Sequence, residues 1–353
     1  MLEPQQNPLP SGGIQLSVII PALNEEAMIA RTLASLADSD FPPDAYEVVL
    51  VDNGSSDRTI AVARAFASRL RLTILERPGV NVSALRNLGA AVASGEVLAF
   101  LDADCLVPRH WMVSACRHLQ SASSGVIGGS IDVSGDCGWV GRTWYRVGYA
   151  PKDGPVTYVP SGNLLIRRED FVRLGGFNEN LKTSEDCEFC FRARRNGLPV
   201  MAIAEMAVVH LRTPQTLWEF YRRERWHGTH VAKVFFANLR ERANLRAVLL
   251  AVLMLVCAGA VLAGLLTMLL LRSYGLVAAG LGGIVTITFF CAIRRLRHMK
   301  GRDFWSNLPP LALLHAVWGL ARAQSLLSVR SIYPRAVSNK ARTKDKERSQ
   351  CAS

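Results

Sequence analysis

Two long runs without charge constrain this chain more than anything else in it. From Ala247 to Leu271 there are 25 consecutive uncharged residues, and from Ser273 to Ile293 another 21, with only Arg272 between them. Each is long enough to cross the hydrocarbon core of a bilayer as a helix, which takes about 20 residues. Buried core helices are the competing explanation, but core helices keep a polar stripe and these runs are apolar all round. The basic residues point the same way. Residues 294–353 hold 13 Lys and Arg against 3 Asp and Glu, and Arg222, Arg223, Arg225, Arg240, Arg242 and Arg246 crowd before the first run. Lys and Arg collect on the cytoplasmic side of a membrane. The pattern predicts two spans over 247–293, with RSYG (272–275) as the outer turn and both ends in the cytoplasm. For a net charge of +12, an anionic lipid bilayer is then the expected partner. Nucleic acid is not, since no recognised binding motif or basic–aromatic groove is present.

The flanking segments read less sharply. Residues 213–246 form a basic linker expected to lie against the membrane as an amphipathic helix. In 294–330 a basic loop leads to an apolar stretch broken by Arg322. A third span there would place the basic tail outside, so an interfacial helix is expected, with the third span as the alternative. The opening MLEPQQNPLPSGG is polar and rich in Pro and Gly, without an apolar signal core. Residues 1–15 and 331–353 are therefore expected to be disordered. Of eight cysteines, only Cys187 and Cys190 are closely spaced, and no second pair completes a zinc site, which predicts reduced structural thiols.

The part before the spans alternates two periodicities. LSVIIPAL (16–23), YEVVLVD (46–52), LTILER (72–77) and EVLAFLDAD (96–104) are strand-like. Between them lie helical stretches, EEAMIARTLASLA with acidic residues in its first turn, RTIAVARAFASRL and VSALRNLGAAVASG. This order predicts parallel βαβ units with both sheet faces covered. A less regular region over 125–212 contains a helix starting near Ser184. In open α/β sheets ligands bind beyond the carboxyl ends of the strands. Here those ends carry Glu25, Asp52, Asp102 and Asp104. So much negative charge in one crevice calls for a counter-charge, and hard oxygen ligands suit Mg²⁺ or Mn²⁺ carrying a diphosphate. Strand alternation would put Asp102 and Asp104 on the same side.

At this point the sequence resembles glycosyltransferase family 2. The resemblance rests on SVIIPALNEE (17–26), VVLVDNGSSDRT (48–59), RNLGAAVASGEVLAFLDADC (86–105), SGNLLIRREDFVRLGGFNE (161–179) and SEDCEFCFRARRNG (184–197). It implies a GT-A fold over 16–212, Rossmann-like with a mostly parallel sheet flanked by helices, followed by the transmembrane hairpin. It also implies inverting transfer of a sugar from a nucleotide-diphosphate donor. Pro21, Ala22 and Glu25 would line the nucleotide pocket, and Asp52 would bond the base, with uracil expected. Arg86 would lie near the diphosphate, Asp102 would bind ribose or sugar, and Asp104 would ligate the metal. Asp186 would be the general base, with its neighbour Glu185 as the second choice. His210 would approach the metal or diphosphate, although a plain strand-end histidine is an equally good reading. YRRERWHGTH (221–230) resembles the Q-x-x-R-W motif of processive members. Arg225 and Trp226 match it on the acceptor side, but Arg222 stands where Gln is expected. Transfer of a single sugar is the expectation.

The need for a base follows from chemistry alone. The acceptor hydroxyl must lose a proton as it attacks an anomeric carbon with oxocarbenium character, and a carboxylate opposite the leaving diphosphate can take it. In SED, Ser184 would also cap the helix and fix the base in place. The sequence thus predicts a multi-pass enzyme of the inner (cytoplasmic) membrane with its catalytic domain in the cytoplasm. The acceptor would be a lipid-linked species or a glycan in cell-envelope or exopolysaccharide assembly. A polyprenyl-phosphate sugar synthase and a non-catalytic scaffold that retains the fold are the alternatives.

Overall fold

The structure is a computed structural model that describes residues 14–120, 125–147, 153–237, 245–271 and 274–327. Most of the lead-in, the basic tail and part of the RSYG turn fall outside the described residues. The strands are β1 (Leu16–Ala22), β2 (Tyr46–Asp52), β3 (Leu72–Glu76), β4 (Val97–Leu101), β5 (Cys105–Leu106), β6 (Val126–Gly128), β7 (Ile131–Val133), β8 (Gly154–Pro155), β9 (Asn163–Arg167), β10 (Val200–Ala202) and β11 (Val208–His210). Eight of them form one sheet in the order β3-β2-β1-β4-β9-β6-β10-β8, and β5-β11-β7 form a small second one.

The first four strands run parallel, as the alternation of periodicities predicts. β2 and β4 are buried along their whole length and β1 nearly so, because helices cover both faces. On one face Phe100 of β4 meets Phe177 edge-on at 4.9 Å, and Phe171 and Phe189 close the cluster. The other face packs Val18, Ile20, Val48 and Leu50 against Leu33 and Trp111. β9 then enters antiparallel beside β4, with Asn163 opposite Leu101. This reversal brings the Ser161–Gly162 loop to the carboxyl end of β4, next to the candidate carboxylates.

Three local expectations differ from the structure. The first helix is Ile29–Ala37, with no acidic residue in its first turn. Glu25 and Glu26 lie before it, in a turn whose amides donate to Thr59 Oγ1 and Asp57 Oδ2 at 2.7 and 3.1 Å. The interlocked loop satisfies these donors, so no helical turn is needed there. Second, β4 stops at Leu101, and Asp102–Asp104 lie in a turn, so strand alternation does not orient them. Third, Ser184 occupies the N-cap of the helix Glu185–Arg195 but makes no side-chain cap bond, and its φ is +64°. Left-handed backbone at a non-glycine residue is strained, and such residues gather at functional sites. Only one other described non-glycine residue shares it, Asn24 in the β1 loop with φ +55°.

Beyond β11 come helices Leu217–His227, Val231–Ala237, Leu245–Leu271, Gly275–Leu296 and Gly301–Leu327. The windows Leu245–Met268 and Gly275–Leu296 are long and apolar enough to cross a membrane, and only 22% and 17% of them are buried. Core helices of a soluble domain would be mostly covered. The two pack antiparallel through small residues: a Cβ on Gly280 would meet the Cys257 carbonyl at 2.7 Å, and one on Gly264 would meet the Val277 amide at 2.5 Å. Close backbone approach at glycine is the usual way apolar helices associate where no hydrophobic drive exists. The last helix begins earlier than the apolar stretch suggested, at Gly301, and continues through Pro309 and Pro310. It buries Leu311, Leu314 and Ala321 against the helix Leu217–His227 and both apolar helices. The basic linker helix Leu217–His227 is thereby clamped, with Phe220 and Glu224 buried.

Candidate active site

The loops after β1 and β2 are knitted together. Asn24 accepts from the Ser56 amide at 2.8 Å, and its own amide donates to Ser55 Oγ at 2.9 Å. Asp52 is fully buried. Its carboxylate accepts from the Gly54 and Ser55 amides at 2.8 and 2.7 Å and from the Ser55 hydroxyl. That is an Asx turn, which shapes the loop from inside. Ala22, opposite Asp52 in the sheet register, is also buried, and Pro21 is half-buried. Glu25 pairs with Arg212 at 3.0 Å. Burial pushes its carboxyl up to about 7 against the pull of Arg212, with help from Asp104 and Asp102.

The centre of the site is Arg86, which is 3% exposed. Its guanidinium donates to Asp102 Oδ1 and to Glu185 Oε1, both at 2.8 Å. The same Glu185 oxygen accepts from Ser161 Oγ at 2.8 Å. Gly162 is required beside this pair, since a Cβ there would fall 2.3 Å from Asp102 Oδ2. Asp104 turns elsewhere and faces His210 Nε2 at 3.4 Å, brought in because β11 pairs His210 with Cys105. The two aspartates therefore diverge onto different partners, a correction to the same-side expectation.

Asp104 and His210 fit a divalent cation. Ligand atoms of Asp104, Cys105 and His210 all lie within 4.8 Å of one another. Burial raises the Asp104 carboxyl and lowers the His210 imidazole, and His210 Nδ1 is buried without a hydrogen-bond partner. A neutral imidazole beside a carboxylate is a suitable donor pair. Cys105 does not suit a hard cation: burial pushes its thiol well up, so it stays protonated.

A cavity of about 670 Å³ opens from this centre. Arg86, Asp102, Ser161, Glu185, Asp186 and His210 line one side, while Pro21, Ala22, Glu25 and Asp52 stay outside it. The Asp186 carboxylate accepts from the Cys187 amide of its own helix, at 2.7 Å, and from the Ser161 amide, with no cation paired to it among the described residues. Burial, and then Glu185, push it up to about 7. Glu185 is held by Arg86 and Ser161, so of the two acids Asp186 has the freer carboxylate. The opposite wall comes from Trp144, Tyr145, Arg223, Trp226, His227 and the helical residues Ala247, Trp318 and Arg322. Trp226 faces the cavity, whereas Arg225 is exposed and does not line it. Arg223 stands there instead, 5.4 Å over the Tyr145 ring. Burial, then Arg223, push His227 down to about 3. Arg322 pairs with buried Glu224 at 2.6 Å, which fixes the last helix to this wall. The sequence carries a signal for Arg223, two residues before Arg225 in the basic motif. It carries none for Trp144 or Trp318, which arrive by long-range packing.

Comparison with known proteins fits this geometry. The profile of glycosyl transferase family 2 matches residues 17–175, and that of glycosyl transferase family group 2 matches residues 97–293, more than half of the chain. The chain belongs to the family 2 glycosyltransferases. It is 29% identical over 226 residues to validoxylamine A glucosyltransferase of Streptomyces hygroscopicus subsp. limoneus, covering 54% of this chain and 50% of the relative. It is also 29% identical over 188 residues to glycosyltransferase AglE of Haloferax volcanii, covering 52% and 62%. The matched region spans about half the length of these curated relatives. Among solved structures, the mannosyltransferase PcManGT of Pyrobaculum calidifontis, in complex with GDP-Man and Mn²⁺, superposes with a TM-score of 0.58 at 19% identity over 90% of this chain and 88% of that one. That likeness establishes the GT-A fold.

Proposed function

We propose that the chain moves a single sugar, with inversion, from a nucleotide-diphosphate sugar to a membrane-associated, lipid-linked acceptor. The observation that carries this reading is the cavity itself. Its lining joins Asp186 to Ala247 of the first apolar helix and to Trp318 and Arg322 of the last helix. An acceptor hydroxyl entering from the membrane side would reach Asp186 opposite the strand-end crevice where the donor diphosphate belongs. Asp186 takes the proton as the hydroxyl attacks, and a carboxyl held near 7 is suited to that at neutral pH. Arg86 holds Asp102 toward the donor and Glu185 behind the base. Asp104 and His210 would hold Mg²⁺ or Mn²⁺, which when bound places positive charge beside the leaving diphosphate. The neighbour with GDP-Man and Mn²⁺ supports a nucleotide sugar and a divalent ion as class. A UDP-sugar is the donor to test first, with Asp52 shaping the base-side loop.

The basic flanks of the hairpin support a position for the catalytic domain on the cytoplasmic side of the inner membrane. The pathway would be the assembly of a cell-envelope or exopolysaccharide glycan. The test is transfer from a panel of radiolabelled nucleotide sugars to lipid extract by the purified full chain, with and without Mn²⁺. A lipid-soluble, metal-dependent product supports the reading. A product cleaved by mild acid identifies a phosphate-linked sugar and moves the polyprenyl-phosphate synthase reading to the front. No turnover with any donor favours the scaffold.

A further inference from the structure

A second cavity, of about 510 Å³, lies where the two apolar helices meet the last helix. Its polar rim is formed by Arg246, Arg294, Arg295, Arg297, His298 and His315. No acidic residue lines it, and Arg246, Arg294 and Arg297 have no carboxylate partner among the described residues. The exposed Arg246, Arg294 and Arg297 leave this space with a positive charge that attracts an anion.

Position narrows the anion. Arg246 begins the first apolar helix, and Arg294, Arg295 and Arg297 end the second. In an antiparallel hairpin those two ends share the membrane face on which the catalytic domain sits. The remaining lining is apolar, with Leu249, Leu250, Phe290 and Cys291 one turn deeper along the same helices. Leu249 is 56% exposed and Phe290 63%. The site therefore grades from basic at headgroup depth to apolar at acyl depth. A free nucleotide or inorganic phosphate would use only the first half of it.

We propose that this cavity is a binding site for the phosphate headgroup and upper acyl chain of an anionic membrane lipid. It is separate from the donor site, but the two share a wall. Trp144 lines the catalytic cavity. Arg295 lies 5.1 Å over the Trp144 ring and donates to its carbonyl, and His315 packs edge-on against the same ring at 5.1 Å. Ala247 lines one cavity and Arg246 the other. A lipid seated here would brace the acceptor wall from behind.

The inference rests on the membrane reading of the hairpin and not on the donor chemistry. It is tested by native mass spectrometry and thermal melting of the full chain in neutral detergent. The probes are phosphatidylglycerol, phosphatidylcholine and inorganic phosphate, against wild type and Arg294→Gln/Arg297→Gln. Both arginines are exposed, so the double variant should fold; Arg246→Gln is the second variant if it does not. Expected is retention of phosphatidylglycerol over phosphatidylcholine, a higher melting temperature with it, and binding weakened about 25-fold in the double variant, since each surface arginine contributes about fivefold toward anionic lipid. Equal binding of both lipids, equal stabilisation by inorganic phosphate, or unchanged lipid binding in the variant would each overturn the proposal. Metal-dependent donor binding, followed in the same preparations, reports on the other site, so its failure is distinguishable.

Discussion

The donor and acceptor sides of the site are held by different physics. The donor side is built from strand ends and short loops. Asp52 binds amides two and three residues away, and Asp102 and Asp104 follow β4 directly. The acceptor side is assembled across long distances in sequence. Arg322 meets Glu224 across 98 residues, and Arg295 donates to the Trp144 carbonyl across 151. Local hydrogen bonds preserve the donor loops as long as the sheet exists. The acceptor wall exists only when the helices dock, and a few buried charges hold it. One side is therefore expected to be robust in shape and sensitive in chemistry, and the other the reverse.

The sharpest way to break this contrast is at the proposed base, Asp186. Asp186→Asn keeps the volume and the helix, so the fold and donor binding should persist while turnover falls by about 10²–10⁴. Steady-state transfer and donor binding on the same preparation check it. Next is Arg86→Gln, which leaves Asp102, Glu185 and Asp186 clustered around no cation. Breaking a buried pair in this way costs about 3–5 kcal/mol, visible as a large drop in denaturation midpoint, and activity should vanish with the fold. Arg322→Gln strips the partner from buried Glu224. It should loosen the acceptor wall, raising the acceptor KM severalfold while donor binding is unchanged, because no donor-side contact depends on it.

The smallest effect is in pH. The folded-state carboxyl of Asp186 is raised from 3.8 to about 7. Between these values the folded chain binds more protons than the unfolded one, so stability falls as pH rises through this window. Asp186→Asn removes that dependence. The variant should gain on the order of 1–3 kcal/mol over wild type at pH 8 and little near pH 4, measured by melting at both. Glu25, raised from 4.5 to about 7, contributes with the same sign and is untouched by the variant, so part of the slope should remain.

The same contrast explains what the sequence disclosed. The parallel strands are legible because burial on both faces requires near-continuous apolar runs. The strand-end acids are legible because the sheet brings its carboxyl ends together. The two apolar helices announce themselves by length alone. The pleat rule misplaced Asp102 and Asp104 because β4 stops one residue earlier, at Leu101. Ser184 reads as a cap, but its backbone is left-handed and its hydroxyl caps nothing. Arg225 fits a motif and Arg223 fits the cavity, a shift of two residues that only the docking of the helix Leu217–His227 decides. Trp144, Trp318 and the Glu224–Arg322 pair leave no local pattern, since each acquires its neighbours from packing at long range.

Asp186, where the donor and acceptor sides meet, is the residue on which the proposed chemistry depends. The direct measurement is the pH dependence of kcat/KM for sugar transfer by the full chain with saturating Mn²⁺, compared with Asp186→Asn. The prediction is a rising limb with an apparent pKa near 7 in the wild type, absent in the variant, whose residual rate is flat and lower by about 10² or more. A wild-type rate that is flat from pH 5 to 8, or a variant that retains both limb and rate, would contradict it and remove Asp186 from the chemistry.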